Sequence, residues 1–268
     1  MRWKIPRAFS RVCEPAVFVL TLAITLVPAA RAQADDDADK ILKSMSNYLA
    51  SQNNISFAFD TDIEVITSDI QKIQFASSGQ LALTRPDKIR VSRTGGYADV
   101  LLVDDGKTAT ILGKHVNAYA QIGMPGTIDQ FVNRLRDELG IPLPGADLLL
   151  ADPHEALTAD VVEGKHIGRG VIDNVECEHL AFRNSDTDWQ LWVETGDRPI
   201  PHKFVITSKT MAAAPQYTLR IHDWKTEASL APDTFSFSPP EGAKKIELKD
   251  LHGIDEVPPG VIVKGGKQ

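Results

Sequence analysis

Ser56-Phe57-Ala58-Phe59-Asp60-Thr61-Asp62-Ile63-Glu64-Val65 alternates without a break. Phe57, Phe59, Thr61, Ile63 and Val65 fall on one side, and Ser56, Ala58, Asp60, Asp62 and Glu64 on the other. A period of two describes a long extended strand with one face against a core and one face wet. Just upstream the period differs. Behind the acidic lead-in Asp35 to Asp39, Ile41, Leu42, Met45, Tyr48 and Leu49 recur at helical spacing, so residues 38–52 are expected to form an amphipathic helix.

Working outward, extended segments are expected at Ile70–Ala76, Gly79–Thr84, Lys88–Arg93, Ala98–Val103, Thr108–Leu112 and Val116–Ile122, with Asp105-Gly106 as a tight hairpin turn. The middle then turns helical: Ile128, Phe131, Val132, Leu135 and Leu139 follow Thr127, a candidate N-cap. Pro142, Pro144 and Gly145 end that helix before the apolar run Ala146 to Ala151, and Pro153 to Ala159 adds another turn or two. Strands resume at Asp160–Lys165, Ile167–Ile172, Val175–Phe182, Trp189–Glu194, His202–Ser208, Tyr217–Trp224 and Phe235–Phe237. Residues 251–268, with Pro258-Pro259-Gly260 and Gly265-Gly266, are expected to be a poorly ordered tail.

Strands alternate with turns rather than with helices, which argues against a parallel α/β sheet. The fold expected is mainly β (α+β): a single strongly curved antiparallel sheet of roughly ten or more strands. The N-terminal helix and the helical insert at about 126–159 cover its concave face.

The extreme N-terminus reads differently. Arg2, Lys4, Arg7 and Arg11 precede an apolar run from Ala16 to Val27, then Pro28 and small residues at Ala30, Ala32 and Ala34. That is the pattern of a secretory signal peptide over residues 1–34, with cleavage after Ala32 or Ala34. The run is shorter than the ~20 residues that span a bilayer, so no stable membrane insertion is expected. The chain carries 29 basic and 36 acidic residues; residues 1–34 hold five basic and one acidic, leaving 24 against 35, or −11. So acidic a product is poorly suited to nucleic acid. Of the two cysteines, Cys13 lies in the leader and Cys177 remains alone.

Three segments carry a resemblance. Gly79-Gln-Leu-Ala-Leu-Thr-Arg-Pro-Asp-Lys-Ile89 looks like the strand and Arg-Pro turn of the LolA lipoprotein carriers. Leu102-Val-Asp-Asp-Gly-Lys-Thr108 resembles their next hairpin, and Phe235-Ser-Phe-Ser-Pro-Pro-Glu-Gly242 their closing strand. The whole chain resembles more closely an uncharacterised family of predicted periplasmic proteins, domain of unknown function 2092, in the LolA/LolB-like superfamily. There the Trp192 strand, Pro201 and Phe204-Val-Ile-Thr207 also match, and the resemblance covers residues 38–247. It implies a periplasmic location, an open half-barrel of LolA-like type, and Arg85 of the Arg-Pro turn as a lid latch. Ile89 stands where the carriers have an aromatic residue.

For chemistry, the candidates are sparse. The histidines 115, 154, 166, 179, 202, 222 and 252 show no metal-ligand spacing; His222-Asp223 near Trp224 is the most compact group. Asp60, Asp62 and Glu64 read as the wet face of a strand, or as paired carboxylates for acid/base work, or as calcium ligands. Cys177 reads as a small buried strand residue, or as a thiol with His179 on the same face. No nucleophile elbow or phosphate loop is present, so a non-enzymatic protein without metal or cofactor is expected. The remaining signal is apolar. Phe57, Phe59, Leu81, Leu83, Ile89 and Leu101 from strands, with Phe131, Leu135, Leu148, Leu149 and Leu150 from helices, line either a ligand cavity or a filled core. The first alternative implies a carrier or sensor for a hydrophobic small molecule, lipid or lipoprotein. The second implies a module that binds another protein of the cell envelope.

Overall fold

The computed structural model describes residues 36–258 and 261, all within one compact unit. The signal peptide expected over residues 1–34 lies outside the described residues. Helix α1 (Asp36–Ser51) buries Leu42, Met45 and Leu49. A first meander follows: β1 (Asn54–Ile66), β2 (Lys72–Thr84), β3 (Lys88–Gly95), β4 (Asp99–Asp104), β5 (Thr108–Gly113) and β6 (Ala118–Gly123). Helices α2 (Ile128–Asn133) and α3 (Pro153–Thr158) precede a second: β7 (Glu163–Ile172), β8 (Val175–Arg183), β9 (Thr187–Glu194), β10 (Pro201–Ser208) and β11 (Gln216–Thr226). A two-residue strand, β12 (Lys244–Lys245), ends the series.

The described residues form one open sheet of twelve strands in the order β12-β6-β5-β4-β3-β2-β1-β11-β10-β9-β8-β7. Its pairs are antiparallel except β12 beside β6. The two meanders join where β1 pairs with β11, Phe59 opposite Ile221 and Thr61 opposite Leu219. This order explains the helical cover. β6 and β7 are consecutive in sequence but stand near opposite edges, so residues 124–162 must cross from one meander to the other. The crossing runs over the face that carries Phe57, Phe59, Leu81 and Leu83, here called the inner face, because burying those side chains stabilises the fold by about 1.5–3 kcal/mol each.

Several expected elements are corrected. Ile70–Ala76 and Gly79–Thr84 are one strand, β2, because Ser77-Ser78-Gly79 continues the ladder instead of turning. Ser77 Oγ meets Thr61 Oγ1 at 2.6 Å, and Ser78 Oγ donates to Asp60 Oδ1 at 2.5 Å. Asp160–Lys165 and Ile167–Ile172 are likewise one strand, β7, interrupted only by a bulge between His166 and Gly168. The helix expected to run to Leu139 is α-helical only to Asn133 and continues as a π turn, Arg134–Glu138. Phe235–Phe237 is no strand: Arg90 Nη1 donates to the Thr234 carbonyl, and Phe237 packs on Tyr119 with ring centroids 5.2 Å apart. Beyond a 3-10 turn at Leu248–Asp250, Leu251 is buried and the following residues lie along the inner face of β3 to β6 as far as Glu256.

Candidate ligand-binding site

The strands supply a floor. Alternation sends Ile55, Phe57, Phe59 and Thr61 of β1 inward, and pairing aligns Leu83, Leu81, Gly79 and Ser77 of β2 with them. Phe59 leans over Gly79: a Cβ there would stand 2.2 Å from Phe59 Cζ, so only glycine lets the ring lie flat on the sheet. The second meander adds aromatic rings. Phe182 and Trp189 stack at 4.1 Å, Phe204 meets Trp189 edge-on at 5.7 Å, and Phe57 packs on Trp224 at 4.5 Å. Such pairs add about 0.5–1.5 kcal/mol beyond area burial. Trp189 and Trp192, three apart, take opposite faces: Trp189 is inside, while Trp192 lies outside between His179 and the Lys203 ammonium.

The cover is made of short pieces. Thr127 caps α2 in a reciprocal box, its Oγ1 accepting from Gln130 N–H while Gln130 Oε1 accepts from Thr127 N–H. Past the π turn, Arg136 braces the chain bend by donating to Asp147 at 2.7 Å and to the Leu143 carbonyl at 2.8 Å. Gly145, at φ 83°, lets the loop drop until an added Cβ would touch Leu219 Cδ2 at 2.9 Å. A 3-10 turn (Ala146–Leu149) then inserts Leu148 and Leu149, and Asp152 caps α3. The cover is tied to the rest by Ile128 N–H to the Pro86 carbonyl (2.8 Å), His154 Nε2 to Asp39 Oδ1 (2.8 Å) and Arg134 Nη1 to the Gly123 carbonyl (3.3 Å), with Met124 N–H to the Lys107 carbonyl and Val162 N–H to the Arg183 carbonyl at its two ends. Ala151 N–H to Asp129 Oδ1 (3.0 Å) braces it internally.

All but one of the residues expected to line the interior come together. Phe57, Phe59, Leu81, Leu83, Ile89, Phe131, Leu135, Leu148, Leu149 and Leu150 share one buried cluster with Leu42, Met45 and Leu49 of α1. Leu101 does not belong: with Val103 and Leu112 it faces outward, under Tyr119 and Phe237. The apolar run of β4 conceals this, because both of its faces are covered. In this conformation the α1 and cover side chains fill the space above the floor. A trough of about 670 Å³ lies instead on the outer face, lined by Ser56, Ala58, Gln80, Ala82, Arg90 and Lys225 among others.

Arg85 sits at the junction of floor and cover. Its Nε donates to the Gln52 carbonyl at 3.2 Å, just after α1, while the adjacent Pro86 carbonyl holds the start of α2. Burial lowers its pKa and Asp129 of α2 opposes that; its Nη2 is buried without a hydrogen-bond partner among the described residues. The other candidates serve structure. Asp60 engages Ser78 and His222, and Glu64 engages Lys72 and the Gln216 N–H. Cys177 is fully buried and its thiol is pushed up to about 11, chiefly by burial, with Glu194, Glu176 and Glu178 adding to it. His179 turns to Gln190 and Trp192 instead. Among the described residues no three His, Cys, Asp or Glu side chains group as metal ligands, and no helix is long and apolar enough to cross a membrane.

Sequence patterning misses one polar contact on the inner face, Arg93 with Glu256, because the partners are far apart in the chain and neither belongs to a motif. No curated protein matches this sequence. Similar solved structures include an uncharacterised conserved protein from Thermus thermophilus (11% identity, 79% of this chain and 99% of that one, TM-score 0.45). LprF from Mycobacterium bovis is similar at 12% identity over 75% and 97% of the two chains, with a TM-score of 0.45. A LolA superfamily protein from Nitrosomonas europaea is similar at 15% identity over 75% and 97%, with a TM-score of 0.35. A family model matches residues 38–249, most of the chain, and the protein accordingly belongs to the family described as Predicted periplasmic protein (DUF2092).

Proposed function

We propose that this periplasmic protein binds an apolar ligand, such as a lipid or acyl chain, between the inner face of the sheet and the cover formed by residues 124–162. One observation carries the reading: a continuous apolar floor is closed by a cover of short helical pieces, the longest being α2 with its π turn over Ile128–Glu138, held by a handful of polar ties. Helices this short are not stable by themselves and depend on what they pack against. The cover therefore lifts at modest cost, and an apolar guest replaces the contacts it loses. No catalytic step is needed for this role.

The test is native mass spectrometry of the mature protein taken from its own periplasm, before and after organic extraction. A discrete extra mass removed by extraction, and regained on adding a fatty acid, is the expected result. A clean apo mass without uptake overturns the reading. That outcome favours the second one, a module that keeps its packed interior and binds an envelope protein. The feature behind that alternative is the open edge β7, where Ile167 and Val171 are 54% and 67% exposed.

A further inference from the structure

Where β3 leaves the helix-covered part of the inner face, the sheet carries a cation. Arg93 stands opposite Gly79 on one side and Val100 on the other, in the same cross-strand row as Phe59. Its guanidinium is gripped by the segment that follows the last 3-10 turn. Nη1 lies 2.7 Å from Glu256 Oε1, and Nη2 donates to the Ile254 carbonyl at 2.6 Å. The two side chains are only 18% and 21% exposed, and Arg93 Nε is buried without a hydrogen-bond partner among the described residues. The same segment lays Leu251 and Ile254 against Ile111, Ala118 and Ala120, with Val100 and Leu102 alongside. Ile254 comes so close that a Cβ on Gly113 would stand 3.0 Å from its Cγ2.

A short run of chain thus presents two aliphatic side chains and then a carboxylate to an apolar strip that ends in arginine. That is the chemical layout of a fatty acid. We propose that the strap Leu251–Glu256 is an internal occupant of a site for a carboxylate-bearing aliphatic molecule, and that Arg93 takes the carboxylate once the strap moves off. This rests on the apolar-ligand reading above and adds to it the headgroup and the residue that recognises it. An arginine on an apolar face is costly unless paired, and its planar fork suits a carboxylate, so exchanging one carboxylate for another keeps it satisfied. The strap is built to be exchanged. Residues 252–256 make no backbone–backbone hydrogen bond among the described residues, so their hold is the Arg93 grip and the two aliphatic contacts.

The experiment uses the full mature chain and two probes, dansyl-undecanoic acid and its methyl ester, with wild type, Glu256→Gln and Arg93→Gln. Wild type is expected to bind the acid about tenfold more tightly than the ester, the scale of one charge-assisted contact. Arg93→Gln removes that preference and, because it also frees the strap, binds the ester no more weakly than wild type does, whereas Glu256→Gln, which weakens the strap but keeps the arginine, tightens the acid about fivefold. Limited proteolysis of wild type with a glutamate-specific protease shows cleavage after Glu256 speeding up when the acid binds, because the strap has come off the sheet. Equal affinity for acid and ester, or a strap that stays protected with the acid bound, overturns the inference while leaving the apolar-ligand reading in place. If neither probe binds any of the three proteins, that reading fails and this one with it. Should Arg93→Gln not fold, Glu256→Gln and the proteolysis measurement decide, since both keep the arginine.

Discussion

His154 Nε2 donates to Asp39 Oδ1 over 2.8 Å, and this contact fastens the last helix of the cover to α1. Both side chains are partly exposed, at 24% and 44%, so the tie contributes about 0.5–1 kcal/mol rather than the worth of a buried pair. His154→Ala is expected to lower the melting temperature by about 2 °C. It should speed uptake of a fluorescent fatty acid more than it changes the final amount bound. Stopped-flow uptake separates the two, and an unchanged rate means that α3 does not gate entry.

Asp104 makes stability depend on pH. It is 1% exposed, and its carboxyl is raised to about 6, first by burial, then by Asp105 and Asp87, against a Gly106 N–H that lowers it. Between the ordinary carboxylate value near 3.8 and about 6, the folded state binds more protons than the unfolded one. The stabilisation from protonating Asp104 is therefore full below about pH 4 and lost as pH rises through about 6. Asp104→Asn, which keeps an acceptor for Gly106, should be more stable than wild type at pH 7 by about 1–3 kcal/mol, with the gap closing toward pH 4. Urea titrations of both proteins across that range measure it.

Gly79→Ala should be among the most damaging single-methyl additions in the chain. The new carbon would meet Phe59 Cζ at 2.2 Å and the Ser92 carbonyl at 2.4 Å. A loss of about 3 kcal/mol is expected. Phe59→Leu in the same chain should return part of it, since only the ring contact is relieved. A double-mutant cycle by chemical denaturation gives the coupling.

The two faces of the sheet predict different behaviour for two leucines. Leu149→Ala removes a side chain between cover and floor, and Leu101→Ala removes one beneath Phe237 on the outer face. Each should cost about 2–4 kcal/mol. Only Leu149→Ala should alter the affinity for an apolar probe. Equal effects on affinity would mean that the probe does not enter beneath the cover.

Cys177 should be silent toward thiol reagents while the protein is folded. Its burial and the thiol value near 11 keep the thiolate scarce at pH 8. With a chain that lacks residues 1–34, addition of an aromatic disulfide reagent should give no release until urea unfolds the protein, and then one equivalent, from Cys177. Rapid labelling of the native protein would place the thiol at the surface.

Much of the sheet was legible because strand alternation is local. Ser56 to Val65 announces which side chains turn inward, and the Asp105-Gly106 turn marks a hairpin that forms as expected. The helical starts are equally readable, Thr127 among them, and the structure adds its capping partner Gln130. Composition is ambiguous where one residue type serves two ends. Ser77-Ser78-Gly79 has turn composition, yet the hydroxyls pair with Thr61 and Asp60 and the glycine makes room for Phe59. Leu101 has the composition of a core residue and is one, but of a different core.

By itself the sequence determined the class of fold, the strands with one buried face, and the apolar residues that the first meander and the helical insert place beneath the cover, but not those of the second meander such as Phe182, Leu191, Phe204 and Leu219. These follow from period and composition, which each segment carries within itself. Only the tertiary structure decided that β1 closes on β11, that the chain must therefore cross the inner face between β6 and β7, and that Glu256 returns to Arg93. Pairing across more than a hundred residues is selected by the packing of the whole sheet, where every local preference is met at once, and no single segment records its partner.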